Sequence, residues 1–370
     1  MRRLILAISA LSLAVLACQG GTPKVPPTPQ NSIFDSGRTA YGFFPSPIRV
    51  EIQSVFDTFK RIGQHADVIL LQQNVPWAEF AAGSDVKSQT IIDMTNQTIL
   101  ASQQNLETIF VVDPLNGLNR REFVKLPAGW KPSFGDPKLR TAFKNFALRV
   151  ARDFHPRYLG LASEINTYAD AFPEDFPNYV SLYNEVYAAV KAESPRTQVF
   201  VTFQWEDLNN LIPGADEGRA RFHTNWELVD AFEPNLDLWV ISTYPFGAFH
   251  SASEIPADYY TPLLTRSLRQ AQCGAIKPLA VAEGGFSSES IPPFGGSDQD
   301  QIDYLNAIHD QLGPRLAFWI YLIINDLDMS SYSPKMDKDQ GTLNFFSLMG
   351  FYDVDGNPKP ALQVWDSFQK

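Results

Sequence analysis

The chain has 370 residues, of which 44% are hydrophobic and 13% aromatic, enough apolar side chain for one large core or two modest ones. Forty-one acidic residues against 30 Lys and Arg give a formal net charge of -11, which argues against nucleic acid or an anionic membrane surface as a partner and favours neutral substrates. Of the two cysteines, Cys18 and Cys273, only Cys273 falls in the body of the chain, which therefore cannot hold an internal disulfide, and Cys273 reads as a small buried hydrophobe.

The first residues, "MRRLILAISALSLAVLACQGG", carry two arginines, an apolar stretch too short to span a bilayer, and small residues before a cysteine. Val15-Leu16-Ala17-Cys18 resembles the lipobox of bacterial lipoproteins. That resemblance implies a signal peptide over 1–17, lipid modification of Cys18 and an extracytoplasmic place in the cell envelope. Gln19 after the Cys, in place of Asp, points to the outer membrane where the organism has one. The Pro-, Gly- and Thr-rich segment 18–34 predicts an extended, solvated tether, leaving 35–370 as one folded domain.

Eight apolar runs follow: 40–47, 67–74, 108–114, 157–164, 198–205, 236–245, 278–285 and 315–324. Continuous rather than alternating runs suit parallel strands covered on both faces. Between them, 47–63, 136–154, 176–194 and 298–313 carry helical apolar spacing, and Asp136-Pro137 predicts an N-cap and first helical residue. Three other stretches, 84–97, 209–225 and 331–344, read as long loops. Eight strands alternating with helices in more than 300 residues predict an α/β fold, the (β/α)8 or TIM barrel. No Gly-rich phosphate loop follows any of the strands, which sets a doubly wound sheet second.

In such a barrel the residues ending each strand meet at one mouth. Here they include Gln72, Gln73, Asn74 and Trp77 after the second run, Asp113 after the third, and Glu164 and Asn166 after the fourth. Gln204, Trp205 and Glu206 end the fifth, Ser242, Thr243 and Tyr244 the sixth, Glu283 the seventh, and Trp319, Tyr321, Asn325 and Asp326 belong to the eighth. Amides, carboxylates and flat rings are the materials of a carbohydrate site. Glu164 and Glu283 each end an apolar strand, and strands four and seven lie across the mouth from each other. Two such carboxylates brought to about 5–5.5 Å have the geometry of retaining glycoside hydrolysis.

Glu164 after strand four, "STYPF" after strand six, "AVAEGGF" around strand seven and a Trp on strand eight resemble clan A glycoside hydrolases, with a likeness to the endo-galactanase family. The resemblance covers residues 40 to 370 by order of elements. It implies Glu164 as acid/base, Glu283 as nucleophile, Tyr244 as a hydrogen-bond donor to the nucleophile and Trp319 as the floor under the sugar. The clan places Asn directly before the acid/base to bind the sugar 2-hydroxyl. This chain has Ser163 there, with Asn166 two residues beyond Glu164 as a substitute. Gln204, Trp205 and Trp77 complete the expected substrate-binding set.

The bland reading of either Glu alone is a carboxylate paired with Arg or Lys at the rim, and a Trp near a strand end is as often packing as platform. Asp113-Pro114 reads as a turn and Glu206-Asp207 as solvated surface. His65, His155, His223, His250 and His309 show no metal-ligand spacing, and no Gly-x-Ser-x-Gly elbow exists, so neither a metal nor an organic cofactor is expected. The expected partner is a carbohydrate, with a membrane contacted through the lipid only and the chain acting as a monomer. A barrel that binds glycans without cleaving them is the alternative, with a lyase using one Glu as base behind it.

Overall fold

The computed structural model describes residues 25–26, 32–212, 218–271, 277–336 and 340–369. The expected signal peptide and most of the expected tether, with Cys18 and Cys273, lie outside the described residues. All eight runs form strands: β1 (Ala40–Phe44), β2 (Val68–Asn74), β3 (Glu107–Asp113), β4 (Tyr158–Gly160), β5 (Gln198–Phe200, continued as Thr202–Gln204), β6 (Trp239–Thr243), β7 (Leu279–Gly284) and β8 (Leu316–Ile323). Every pairing is parallel. β1 joins β2 on one side and β8 on the other, and the sequence of neighbours runs on through β3 and β4 and back through β7 and β6. The first part of β5 pairs with β4 and the second with β6, so the break at Val201 is where the ring closes. This is a (β/α)8 barrel.

The longer helices around it are α1 (Ile52–His65), α2 (Gln89–Gln103), α3 (Pro137–Phe154), α4 (Phe176–Glu193), α5 (Thr261–Ala271), α6 (Asp298–Gln311) and α7 (Pro360–Ser367). α3 begins as its sequence dictates: the Asp136 side chain accepts from the Lys138 amide at 2.9 Å, with Pro137 at the first turn. α2 corrects the loop reading of 84–97. Its Thr, Asn and Gln residues blur the apolar stripe, yet Ser88 caps it through the Ile91 amide and the barrel buries Ile91, Met94 and Leu100.

Two features position the mouth. A hairpin of Leu115–Asn116 with Asn119–Phe123 follows β3 directly and folds over the rim. At the opposite end, the Ser32 hydroxyl and Ile33 amide both donate to Glu107 at the start of β3, at 2.7 and 2.6 Å, so the chain enters on the face away from the mouth.

Candidate active site

β4 delivers Glu164 through an unusual backbone. After Gly160 the chain stays paired to β5 (Leu161 amide to Phe200 carbonyl, 2.9 Å) and then turns at Glu164, whose φ of 51° and ψ of 45° are left-handed. A non-glycine residue there costs of order 1–3 kcal/mol, and the Glu164 amide is secured by the Thr202 hydroxyl at 2.7 Å. The turn aims the carboxylate into the mouth. Its Oε1 accepts from Ser242 Oγ at 2.6 Å and its Oε2 from Arg120 Nε at 2.9 Å.

β7 delivers Glu283. The next residue is Gly284, where a Cβ would collide with Tyr304 Oη and the Thr243 carbonyl, so glycine alone allows β6 and β7 to approach this closely. That approach brings Tyr244 onto Glu283: its hydroxyl donates to Oε1 at 2.6 Å. Oε2 lies 3.8 Å from Arg120 Nη2.

Arg120, on the hairpin, is the centre of the arrangement. Its side chain is 5% exposed, and besides Glu164 and Glu283 it contacts Asp113 Oδ2 at 2.5 Å. One cation thus faces three carboxylates. Burial pushes the Glu283 carboxyl up to about 7, with the charge of Glu164 adding to it and Arg120 and the Tyr244 hydroxyl opposing. Burial also raises Asp113, against the pull of Arg120. Burial, followed by the charge of Glu283, moves the Tyr244 phenol well up, so it stays a donor. Burial favours discharge of the Arg120 guanidinium, but the three carboxylates outweigh it and hold the charge on more firmly than usual.

Arg120, Glu164, Tyr244 and Glu283 line a cavity of about 490 Å³ that also takes in Gln72, Gln204 and Thr167, with Asp113 buried behind Arg120. Gln72 donates to Asp113 at 2.7 Å and accepts from Ser163 at 3.1 Å, so Ser163, 2% exposed, is turned to Gln72 rather than into the cavity. Asn166 points the other way. Its amide donates to the Gln204 carbonyl and to Asp207 and accepts from the Gln204 amide, stitching β5 to the turn after β4. Gln204 lines the cavity with its own side chain engaged by Glu206 and the Asp207 amide.

The expected tryptophan platforms are elsewhere. Trp77 is buried beneath the hairpin, donating to the Val124 carbonyl at 2.7 Å. Trp205 packs among Trp226, Tyr259 and Tyr260. Trp319 lies in the layer between β8 and the helices, against Tyr41, Trp365 and Phe368. The reason is the two-residue period of a strand: Phe318 meets Tyr158 and Phe200 inside the barrel, so Trp319 faces out. On β8 the cavity is lined by Leu322 and Ile323, with Leu327 in the loop beyond. Asn325 and Asp326 are directed to Arg61 and Lys359, outside the cavity lining.

Two further readings are revised. Asp113 is the fully buried anchor of Arg120 rather than a turn residue alone. Glu206 is not solvated but fully buried, accepting from Gln204 Nε2, Thr243 Oγ1, the Tyr244 amide and Tyr259 Oη at 2.7 to 3.0 Å. It fixes the backbone from which Tyr244 projects. Sequence reasoning missed Arg120 altogether, although Asn116-Gly117 right after a strand is a hairpin signal that would have placed it at the rim.

No family model matches the chain, and no curated protein matches it in sequence. Solved structures match in fold. A GH5_18 protein from Bifidobacterium longum subsp. longum, in complex with Manβ1-4GlcNAc, aligns with a TM-score of 0.61 at 12% identity, over 89% of this chain and 77% of that one. The exo-β-1,4-mannosidase Op5Man5 from an Opitutaceae bacterium gives 0.62 at 14%, over 90% of this chain and 59% of that one. A family 39 glycoside hydrolase from the gut symbiont Bacteroides cellulosilyticus gives 0.55 at 16%, over 90% and 64%. At such identities the likeness is one of fold alone, the (β/α)8 barrel. The endo-galactanase likeness finds no support among these three.

Proposed function

We propose that this protein is a retaining β-glycoside hydrolase, with Glu283 as nucleophile and Glu164 as acid/base. The observation that carries the reading is the convergence of two Glu residues, from β4 and β7, on one buried guanidinium in the barrel-mouth cavity, one of them held by a tyrosine hydroxyl. In the first step a Glu283 carboxylate oxygen attacks the anomeric carbon. The reacting form of the pair holds a single proton, on Glu164, with Glu283 ionised; the bond to the leaving oxygen breaks, and that oxygen takes this proton. In the second, Glu164 removes a proton from water, the water oxygen attacks the same carbon, and Glu283 is released as carboxylate. Arg120 orients Glu164 and offsets the charge of the pair, and Tyr244 holds the attacking carboxylate in place.

Glu283 has to be ionised to attack while Glu164 keeps its proton, and burial raises the Glu283 carboxyl above its ordinary range. The acid limb of kcat/KM is therefore expected above the ordinary carboxylate value of about 4.5, rising with pH, and a limb at or below that value would show that the site does not raise the Glu283 carboxyl.

The deciding experiment compares the chain with its Glu283→Ala and Glu164→Ala variants on a panel of aryl β-glycosides and glycans. Loss of turnover in the first, and azide rescue of the second with a β-azide product, is the expected result. A second reading, a glycan-binding barrel without turnover, draws on Ser163 at the position before Glu164, since its hydroxyl is spent on Gln72. Glycan binding in all three proteins without hydrolysis by any would establish it.

Trp319→Phe separates packing from substrate contact. It is expected to cost about 1–2 kcal/mol of stability and to leave KM unchanged. A several-fold rise in KM at unchanged stability would return Trp319 to the site.

With Cys18 lipidated, the tether would join the barrel at the Glu107 end, opposite the mouth. Labelling of Cys18 with a radioactive fatty acid, lost on Cys18→Ser, tests the anchor.

A further inference from the structure

The cavity is chemically divided. From β2, the hairpin and α2 it is lined mainly by polar groups, Gln72, Asn74, Gln97, Asn119, Arg120 and Arg121, with Leu71 and Leu118 between them. From β1, β8, the loop after β6 and the helix at Gln340–Phe346 it is lined by Phe44, Phe246, Leu322, Leu327, Leu343 and Phe346. Among the described residues lining that second side, the hydroxyls are those of Thr342 and of Tyr244, and Tyr244 Oη is engaged by Glu283. The apolar wall begins one ring away from the reacting carboxylate: Phe346 packs on Tyr244 with centroids 5.1 Å apart, and on Phe246 at 6.2 Å.

A pyranose can lay a C–H face on one of the Phe rings, but its hydroxyls pressed against Leu322, Leu327 and Leu343 would be left without partners, at a cost of about 1–3 kcal/mol for each one buried. A hydrocarbon would lose nothing and would gain the burial of its surface. We infer that the substrate is an amphipathic glycoside, its sugar on the amide- and arginine-lined side and a hydrocarbon chain against the Phe44–Leu322–Phe346 wall. This rests on the glycosidase reading for the reaction but not for the binding. The shared chemistry is a flexible alkyl chain, carried either as the aglycone or as an acyl group on the sugar.

The test uses β-glycosides of one sugar with methyl, butyl and octyl aglycones, and a nitrophenyl β-glycoside with and without a 6-O-octanoyl group, all below their micelle concentrations. Both kcat/KM on the intact protein and calorimetric binding to Glu283→Ala are measured. Each buried methylene is worth roughly fourfold, so burial of about three to four of them against the wall is expected to make one of the two octyl-bearing series exceed its short-chain member about a hundredfold. The series that responds identifies whether the chain is aglycone or acyl. Phe346→Asn and Leu343→Asn should each cut that preference about tenfold or more. Equal binding and equal kcat/KM across chain lengths, or a preference that neither substitution alters, would overturn the inference. Chain-length-dependent binding with no turnover of any member would retain it and sink the hydrolase reading instead.

Discussion

Glu283→Gln is expected to abolish turnover and, at pH 8, to make the protein more stable than the wild type. The amide keeps the size of the carboxyl and an oxygen that accepts from Tyr244, but it cannot carry charge. In the wild type the side chain is 13% exposed and shares a single cation with Glu164 and Asp113, which is why its carboxyl rises from 4.5 to about 7. Below pH 4.5 folded and unfolded chains both hold the proton and ionisation costs nothing. Between 4.5 and about 7 the unfolded chain releases it first, so stability falls through that window. Above about 7 the folded protein carries the whole penalty, on the order of 3 kcal/mol. Thermal unfolding of the two proteins at pH 5 and pH 8 checks this: the advantage of Glu283→Gln should be large at pH 8 and mostly gone at pH 5. A variant less stable than wild type at pH 8, or an advantage independent of pH, would show that the carboxylate is well compensated in the folded state.

Arg120→Met is expected to be the most damaging single change outside the two glutamates. Arg120 is the shared cation of Asp113, Glu164 and Glu283, at 2.5, 2.9 and 3.8 Å, and its side chain is 5% exposed. Its removal leaves three carboxylates at one buried point, and breaking such a cluster costs about 3–5 kcal/mol. The loss should shrink as pH falls, because Asp113 and Glu283, both already raised, take up protons and need no cation. Turnover should drop at least about a hundredfold, with its acid limb moved to higher pH. Arg120→Lys should recover part of the stability and little of the activity, since an ammonium cannot meet three carboxylates arranged around a planar fork. Denaturant unfolding at pH 5 and 8 beside pH–rate profiles decides it; a pH-independent stability loss with an unmoved acid limb would reduce Arg120 to packing.

The barrel and the two carboxylates were legible in the sequence because both follow from local pattern. Eight continuous apolar runs spaced by helical segments leave little other than a (β/α)8 ring, and position at a strand end is enough to bring Glu164, Tyr244 and Glu283 to the same mouth. What those side chains meet there is a matter of long-range contact. Arg120 stands 44 residues before Glu164 and reaches it only because the hairpin folds back over the rim. Trp319 was placed on the right strand and the wrong side of it, since sequence does not say which of two alternating sets faces the axis and a slip of one residue exchanges them. Asn166 is adjacent to the site in sequence yet turned from it, because the left-handed backbone at Glu164 sends the next residues towards β5. The division of the cavity into an amide side and a hydrocarbon side is a property of no single segment: it arises where residues from β1, β8 and the Gln340–Phe346 helix close on one space, which tertiary packing alone decides.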